Sequence, residues 1–209
     1  NKVTLTGECA DEIFGGYPWF YRPELLNRDG FPWSADVSAR AAFLSGDVTD
    51  RLDLAGYSRA RYEETISASP KLPGESPEEA RRRAVGYLNI KWFMQTLLDR
   101  MDRTSMYSGL EARVPFGDLD FVQYVMSVDP KLKMNTYHKG KYLLRHAFEG
   151  DYLPQSILYR EKAAFSDAVG HSMVDDLKEY AESLYTDGEF VQKCRKYDYV
   201  PPFTKESLL

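Results

Sequence analysis

Glu8, Asp11 and Glu12 put three carboxylates within five residues, between Thr6-Gly7 and Gly15-Gly16-Tyr17. At i, i+3 and i+4 they share one face of a helical turn. Like charges this close repel, so the cluster needs a cation against it, and a magnesium ion carrying phosphates or a substrate ammonium would serve. The same residues could instead cap a helix start, where acidic side chains complement the macrodipole. A second stretch runs Asp99-Arg100-Met101-Asp102-Arg103 and resumes at Ser108–Phe116. Its alternating charges in an apolar frame predict partly buried ion pairs, which must be well matched to be tolerated. A salt-bridged helix end is the plainer reading. The third stretch is Tyr159–Asp167, with Lys162 in a loop where a cation can reach a ligand without breaking packing; loop lysines are ordinarily just solvated. His138, His146 and His171 have no ligand-like spacing and imply no metal. No histidine lies near Cys9 in sequence, which argues against a thiol nucleophile there.

The elements that must position these residues are mainly helical. Residues 3–5 alternate as a short strand, and Gly7 to Glu12 follow where a strand hands over to a turn, beyond whose carboxyl end α/β sheets bind ligands. A lone strand needs partners on its edges. The expectation is therefore a piece cut from a larger sheet, prone to self-association. Ser76-Pro77-Glu78-Glu79 is a capping box with proline at the first helical position. Beyond it Ile90, Phe93, Met94, Leu97, Leu98 and Met101 predict a buried stripe. Pairing of Glu78 with Arg82 and Glu79 with Arg83 makes Arg81-Arg82-Arg83 a solvated face. Further helices are predicted after Asp118 or Asp120 up to Asp129-Pro130, over Lys141–Phe148, from Pro154, and from Ser172 to Asp187-Gly188. Loops are predicted at 29–38 and 67–77.

Composition excludes several classes. With 209 residues, 43% hydrophobic and 28% charged, the chain is long enough for a real core and is neither fibrous nor disordered. Mean hydropathy is −0.49, and no apolar run approaches the roughly 20 residues that cross a bilayer. Twenty-seven basic against 32 acidic side chains argue against nucleic-acid binding by counterion release. Cys9 and Cys194 make neither a disulfide framework nor a zinc set, which fits a reducing cytoplasm.

Taken together, the three stretches resemble the synthetase half of the glutamine-dependent asparagine synthetases. That family carries Ser-Gly-Glu-Gly-Ser/Ala-Asp-Glu-x-Phe-Gly-Gly-Tyr, then Asp-Arg-x-Ser-Met with Leu-Glu-x-Arg-Val-Pro-Phe, then Lys-x-x-Phe-Ser-Asp-x-x-Gly. Here the same order reads Thr6–Tyr17, Asp102–Met106 with Leu110–Phe116, and Lys162–Gly170. Thr6 replaces serine and Cys9 a glycine, both by small residues. The resemblance implies a mainly α fold with one short N-terminal strand. That would be the helical C-terminal half of an α/β adenine-nucleotide-hydrolase-like domain of the PP-loop ATP pyrophosphatase kind. Residues 1–209 would be the C-terminal part of the synthetase domain. The family's glutaminase domain, led by a nucleophilic cysteine, and its Ser-Gly-Gly-x-Asp-Ser phosphate loop have no counterpart in these residues, so an incomplete and inactive fragment is expected.

The resemblance further implies a ligase that converts aspartate to asparagine through β-aspartyl-AMP, using ammonia from glutamine, with ATP and Mg2+. Thr6 and Gly7 would touch the nucleotide through backbone groups, and Glu8 would accept a proton as ammonia adds or steer the β-aspartyl-AMP step. Asp11 would hold magnesium at the pyrophosphate, and Lys162 would offset charge on the phosphates, the electrostatic work that dominates such chemistry. Arg100 and Asp102 would lie at the aspartate end. The implied partners are ATP, aspartate, ammonia and a glutaminase domain of the same parent chain. A homodimer is allowed; nucleic acid and membrane are not implied. Glu8, Asp11 and Lys162 are expected to face one cleft. Relatives that adenylate for another acceptor, a β-lactam synthetase or a lasso-peptide cyclase, are the alternative, against which Glu8 favours ammonia. A non-catalytic helical module is a further alternative, but packing needs none of Glu8, Asp11 and Lys162.

Overall fold

The strand expected to stand alone has a partner. In the computed structural model, which describes residues 2–34, 37–41, 44–134, 140–162, 176–180 and 183, β1 (Val3–Leu5) pairs in parallel with β2 (Glu111–Arg113). The register sets Val3 against Glu111, Thr4 against Ala112 and Leu5 against Arg113. Two further bonds extend it, from the Glu111 amide to the Lys2 carbonyl and from the Thr6 amide to the Arg113 carbonyl. The expectation of a single strand is thus corrected. Glu111 and Arg113, read as members of a partly buried charged stretch, are strand residues whose side chains pair with each other on an exposed face at 2.7 Å. Asp99 and Arg103 likewise pair in the open, so buried ion pairs are not what this stretch contains.

The chain forms two compact units, one of residues 1–33 and 61–162 and one of residues 34–60 and 163–209. The first opens with β1, then α1 (Ala10–Phe14), a 3-10 turn at Pro18–Phe20 and α2 (Pro23–Leu26). The second holds α3 (Ser38–Ala41) and α4 (Gly46–Arg51). Helix α5 (Leu54–Ala68) begins in the second unit and finishes in the first. The first unit continues with α6 (Pro77–Leu88), a π-helical stretch at Asn89–Met94, α7 (Gln95–Tyr107), β2 and a 3-10 turn at Pro115–Gly117. It closes with α8 (Leu119–Ser127), α9 (Pro130–Lys133), α10 (Tyr142–Ala147) and α11 (Gln155–Leu158). The chain is mostly helical, as read. No helix among the described residues is long and apolar enough to cross a membrane.

Local chemistry explains the boundaries. The Ser76 hydroxyl accepts the Glu79 amide while the Glu79 carboxylate accepts the Ser76 amide, so the capping box forms in full. Asp118 caps α8 through the Phe121 amide, and Asp129 precedes Pro130 at the start of α9. Asp176–Tyr180 is helical within the span predicted from Ser172; the remainder of that prediction, with Ser183 excepted, lies outside the described residues, as do His138, His171, Cys194 and Phe165–Gly170.

The first unit has two buried clusters. Trp19, Phe20, Leu26 and Val85 form one, with Tyr17, Trp33, Phe93 and Met134 packed on it. Ile13, Phe14 and Val125 form the other, under Phe116, Phe121, Leu143 and Leu144. Ile90, Phe93, Met94, Leu97, Leu98 and Met101 are only half-buried, which corrects the expected buried stripe: the π turn shifts the helical phase, and full burial falls upstream at Ala84, Val85, Gly86 and Leu88. The arginine run is likewise not a solvated face. Arg81 donates to the Leu26 and Arg28 carbonyls and to the Tyr62 hydroxyl, and Arg82 to the Phe20 carbonyl and Glu78. Arg83 pairs with Glu75 instead of Glu79, whose carboxylate takes Lys131.

Candidate functional site

β1 delivers the chain into Thr6-Gly7-Glu8, and α1 starts at once. The Glu8 amide donates to the Thr6 hydroxyl at 3.3 Å, and that hydroxyl donates to the Met101 sulfur at 3.6 Å, tying the turn to α7. Helix α1 is only five residues long, too short to hold itself. Ile13 and Phe14 fix it by entering the second cluster, which leaves Asp11 and Glu12 in fixed places. Gly15 ends α1 at φ +71, and Gly16 donates its amide to the Asp11 carbonyl. A Cβ on Gly16 would lie 1.9 Å from Asp11 Oδ1, so glycine is required for the turn to close over the carboxylate.

The cations that the acidic cluster needs come from the chain itself. Lys141 Nζ meets Asp11 Oδ1 at 2.7 Å, and Lys162 Nζ meets Asp11 Oδ2 at 2.5 Å, across 151 residues of sequence. Asp11 is 16% exposed, against 23% for Lys141 and 35% for Lys162. Burial acts to raise the Asp11 carboxyl, but the charges and hydrogen bonds of Lys141 and Lys162 prevail and hold it below its ordinary value. Lys162 also lies 5.4 Å from the centre of the Tyr17 ring, a cation–π distance.

Glu12 turns the other way and is 3% exposed. It accepts the Tyr17 hydroxyl at 2.6 Å. Burial pushes the Glu12 carboxyl up, and the hydrogen bond from Tyr17 opposes it. Burial, then the Glu12 bond and charge, push the Tyr17 hydroxyl far above its usual range. Tyr17 is in turn held by stacking on Trp19 at 4.4 Å and an edge contact with Phe93. Among the described residues, Cys9 and Lys141 are the two non-glycines with left-handed backbone, at φ 74 and φ 54, and both border Asp11. Strain of this kind persists only where surrounding contacts over-determine it. Cys9 is buried, with its thiol pushed up to about 11 by burial and then by Glu12 and Glu8, so it is no thiolate nucleophile.

Of the residues read from sequence, Asp11 and Lys162 are brought into direct contact. Glu8, half-buried on the same turn, meets Arg100 Nη2 at 3.4 Å. Asp102 sits two residues beyond Arg100 on α7, about 200° around the helix, and is exposed with no ion pair among the described residues. Arg100 therefore joins the acidic turn and Asp102 does not. Thr6 is half-buried; Gly7 is exposed, and a Cβ there would meet open space, so nothing described in this chain requires glycine at that position. Lys141 was missed, being read only as a helix start. The sequence signal that could have found it is the Gly140-Lys141 pair, since Gly140 is at φ +78 with its Cα side against the Gly15 and Gly16 backbone, 3.1–3.3 Å from where a Cβ would be.

Carboxylate is the right donor for magnesium, yet both Asp11 oxygens already carry an ammonium group. No set of three metal-ligating side chains occurs among the described residues. As arranged, these residues do not fit a magnesium ion bound directly to Asp11.

Comparison with known proteins follows the same residues. A family model described as asparagine synthase matches residues 1–207. The glutamine-hydrolyzing asparagine synthetase 3 of Bacillus subtilis strain 168 is 47% identical over 163 residues, covering 78% of this chain and 26% of that protein. The glutamine-hydrolyzing asparagine synthetase 1 of Saccharomyces cerevisiae is 42% identical over 218 residues, covering 99% of the chain and 28% of its own length. The nodule asparagine synthetase of Pisum sativum is 40% identical over 212 residues, covering 99% and 27%. The chain spans little more than a quarter of the length of these relatives.

Proposed function

Since the chain belongs to the asparagine synthase family, we propose that it supplies part of the site at which a longer enzyme activates aspartate with ATP and converts it to asparagine. The setting we propose is the helical part of an α/β domain of the PP-loop pyrophosphatase kind, working in the cytoplasm with a glutaminase domain that furnishes ammonia. The observation that carries the reading is the union of two motifs distant in sequence: Asp11 of the acidic turn holds Lys162 of the third stretch.

In the first step an oxygen of the aspartate side-chain carboxylate bonds to the α-phosphorus of ATP, and the bond to pyrophosphate breaks. In the second, ammonia nitrogen bonds to the acyl carbon, AMP departs with the electron pair of the acyl–oxygen bond, and one proton leaves the nitrogen. Thr6 and Gly7 meet the nucleotide through their backbone, Gly7 offering the open approach that its exposed position allows. Lys162, held in place by Asp11 at 2.5 Å, would neutralise the phosphates once they bind. Glu8 accepts the proton released as ammonia adds, and Arg100, paired with it, orients the carboxylate and faces the aspartate. Asp102 keeps a lesser claim at the aspartate end, because it lies on the other side of α7. Magnesium is expected to enter on the phosphates of ATP.

Lys162→Ala tests this in the full-length protein that contains the chain. Aspartate-dependent exchange between ATP and pyrophosphate should fall about a hundredfold or more, the order lost when one positioned charge is removed from a transition state. Glutamine hydrolysis should stay near its starting rate. Exchange that persists unchanged in the folded variant would remove Lys162 from the site.

A further inference from the structure

We infer that Arg145 is a positioning residue that clamps both lysines onto Asp11, and this inference rests on the reading of Lys162 given above. Arg145 lies on α10, half-buried, one turn beyond Lys141. Each of its three guanidinium nitrogens donates to a different backbone carbonyl. Nε donates to Gly140 at 2.9 Å, Nη1 to Leu158, and Nη2 to Arg160 at 3.0 Å. Gly140 is the residue before Lys141, and Arg160 is two residues before Lys162. One planar group thus grips the backbone beside both ammonium groups that end on Asp11.

The surroundings make the grip specific. The segment that bears Lys141 is already pressed on the acidic turn, with buried Gly140 against the Gly15 and Gly16 backbone. The segment that bears Lys162 follows α11, a helix of four residues that ends at Leu158. Such a helix cannot direct the loop beyond it, and its terminal carbonyls lack partners within the helix. Arg145 takes two carbonyls of that exit and so orients it. A guanidinium has a rigid fork with donors in fixed directions; an ammonium on a flexible stem cannot hold three carbonyls in one plane. Lysine at 145 would keep the charge and lose the clamp.

The test uses the full-length protein with Arg145→Lys and Arg145→Met, first checked by circular dichroism. Lysine reactivity toward an amine-acetylating reagent is read peptide by peptide, with exposed Lys71 as internal reference. Lys141 and Lys162 should both acetylate about tenfold faster in each variant, the response expected when a held ammonium is released from a charge-assisted bond. The kcat of aspartate-dependent pyrophosphate exchange should fall by about a hundredfold, as a misplacement on the order of 1 Å costs, while KM for ATP changes little. Wild-type protein that labels as expected but shows no exchange would sink the proposed function and leave the clamp standing. Folded variants in which both lysines keep their wild-type reactivity, or in which Arg145→Lys behaves as wild type, would overturn the clamp. Failure of both variants to fold would also overturn it, by making Arg145 a support of the whole unit instead of a local positioner.

Discussion

Gly16→Ala is a one-methyl probe of the lysine-held carboxylate. The Gly16 backbone is not left-handed, so the cost comes from space alone: the new Cβ would lie 1.9 Å from Asp11 Oδ1, 2.7 Å from its Cγ and 2.9 Å from its Cβ. Contacts of that length cannot persist, and the carboxylate must rotate off Lys141 and Lys162. Two hydrogen bonds to charged groups are each worth roughly 1.5–3 kcal/mol in a buried setting. The lysine heads are 23% and 35% exposed, so solvent recovers part of the loss and the expected cost is about 2–3 kcal/mol. With a urea slope of about 2 kcal/mol/M, the midpoint should drop by about 1–1.5 M. Emission from Trp19, Trp33 and Trp92, which all sit in the first unit, would follow that transition. The pH dependence identifies the cause. Asp11 is held below its unfolded value of 3.8, so its stabilisation is present above that pH and fades as the pH falls through the lower folded value. The gap between wild type and variant should therefore be full at pH 7 and narrow toward pH 3. A gap of equal size at both pH values would show that crowding, not the ion pairs, sets the cost, and a variant with the wild-type midpoint would refute the geometry.

Tyr17→Phe removes the larger of the two hydrogen bonds that oppose the raised carboxyl of Glu12, so that carboxyl should rise further. A raised acid stabilises the fold below its unfolded value of 4.5 and loses that contribution as pH rises through the folded value, so the variant should lose more stability than wild type between pH 4.5 and 7 in a pH series of melts. Cys9→Gly relieves a left-handed backbone while deleting a buried thiol, and denaturation should find it within about 1 kcal/mol of wild type; Cys9→Val, branched at φ 74, should cost more than about 2 kcal/mol. Ser76→Ala breaks the capping box of α6 and should lower stability by about 1 kcal/mol in the same assay.

How much of this was legible in the sequence follows from how far each contact reaches. The cap at Ser76 is made within three residues and the sequence shows it directly, and Asp118 was one of two candidate starts; Asp129 was read as a stop although it also caps α9. The acidic turn was legible as a cluster in need of a cation, because charge repulsion is local. Of its cations, Lys162 was expected in the same cleft only through the family resemblance, 151 residues away, and Lys141, 130 residues away, was not expected at all. β2 hid inside a charged stretch: a three-residue parallel strand, exposed at Glu111 and Arg113, has no apolar alternation to reveal it. Helices α4 and α5 were not anticipated either. Only Tyr62 and Thr65 of α5 are buried, so no apolar stripe marks a helix that the sequence could display. The arginine run was legible in part. Of the local pairs suggested by its acidic neighbours, Glu78 with Arg82 forms, but Arg83 takes Glu75, and Arg81 and Arg82 also reach carbonyls 53 to 62 residues upstream.

A lysine–aspartate–lysine arrangement also explains why the acidic turn tolerates its own charge. Glu8, Asp11 and Glu12 would repel on one helical turn, and the structure answers each with a different group. Glu8 has Arg100 at a partly exposed edge, Asp11 has two lysines, and Glu12 withdraws from water onto the Tyr17 hydroxyl. The three solutions differ in how readily they can be undone. The Glu12–Tyr17 bond is locked by the aromatic stack and is structural in character. Glu8 and Lys162 have more solvent access than Asp11, Glu12 or Lys141, and their partners come from 92 and 151 residues away in sequence. The turn thus sets a carboxylate with a partly exposed partner four residues from one locked in the interior, Glu8 against Glu12.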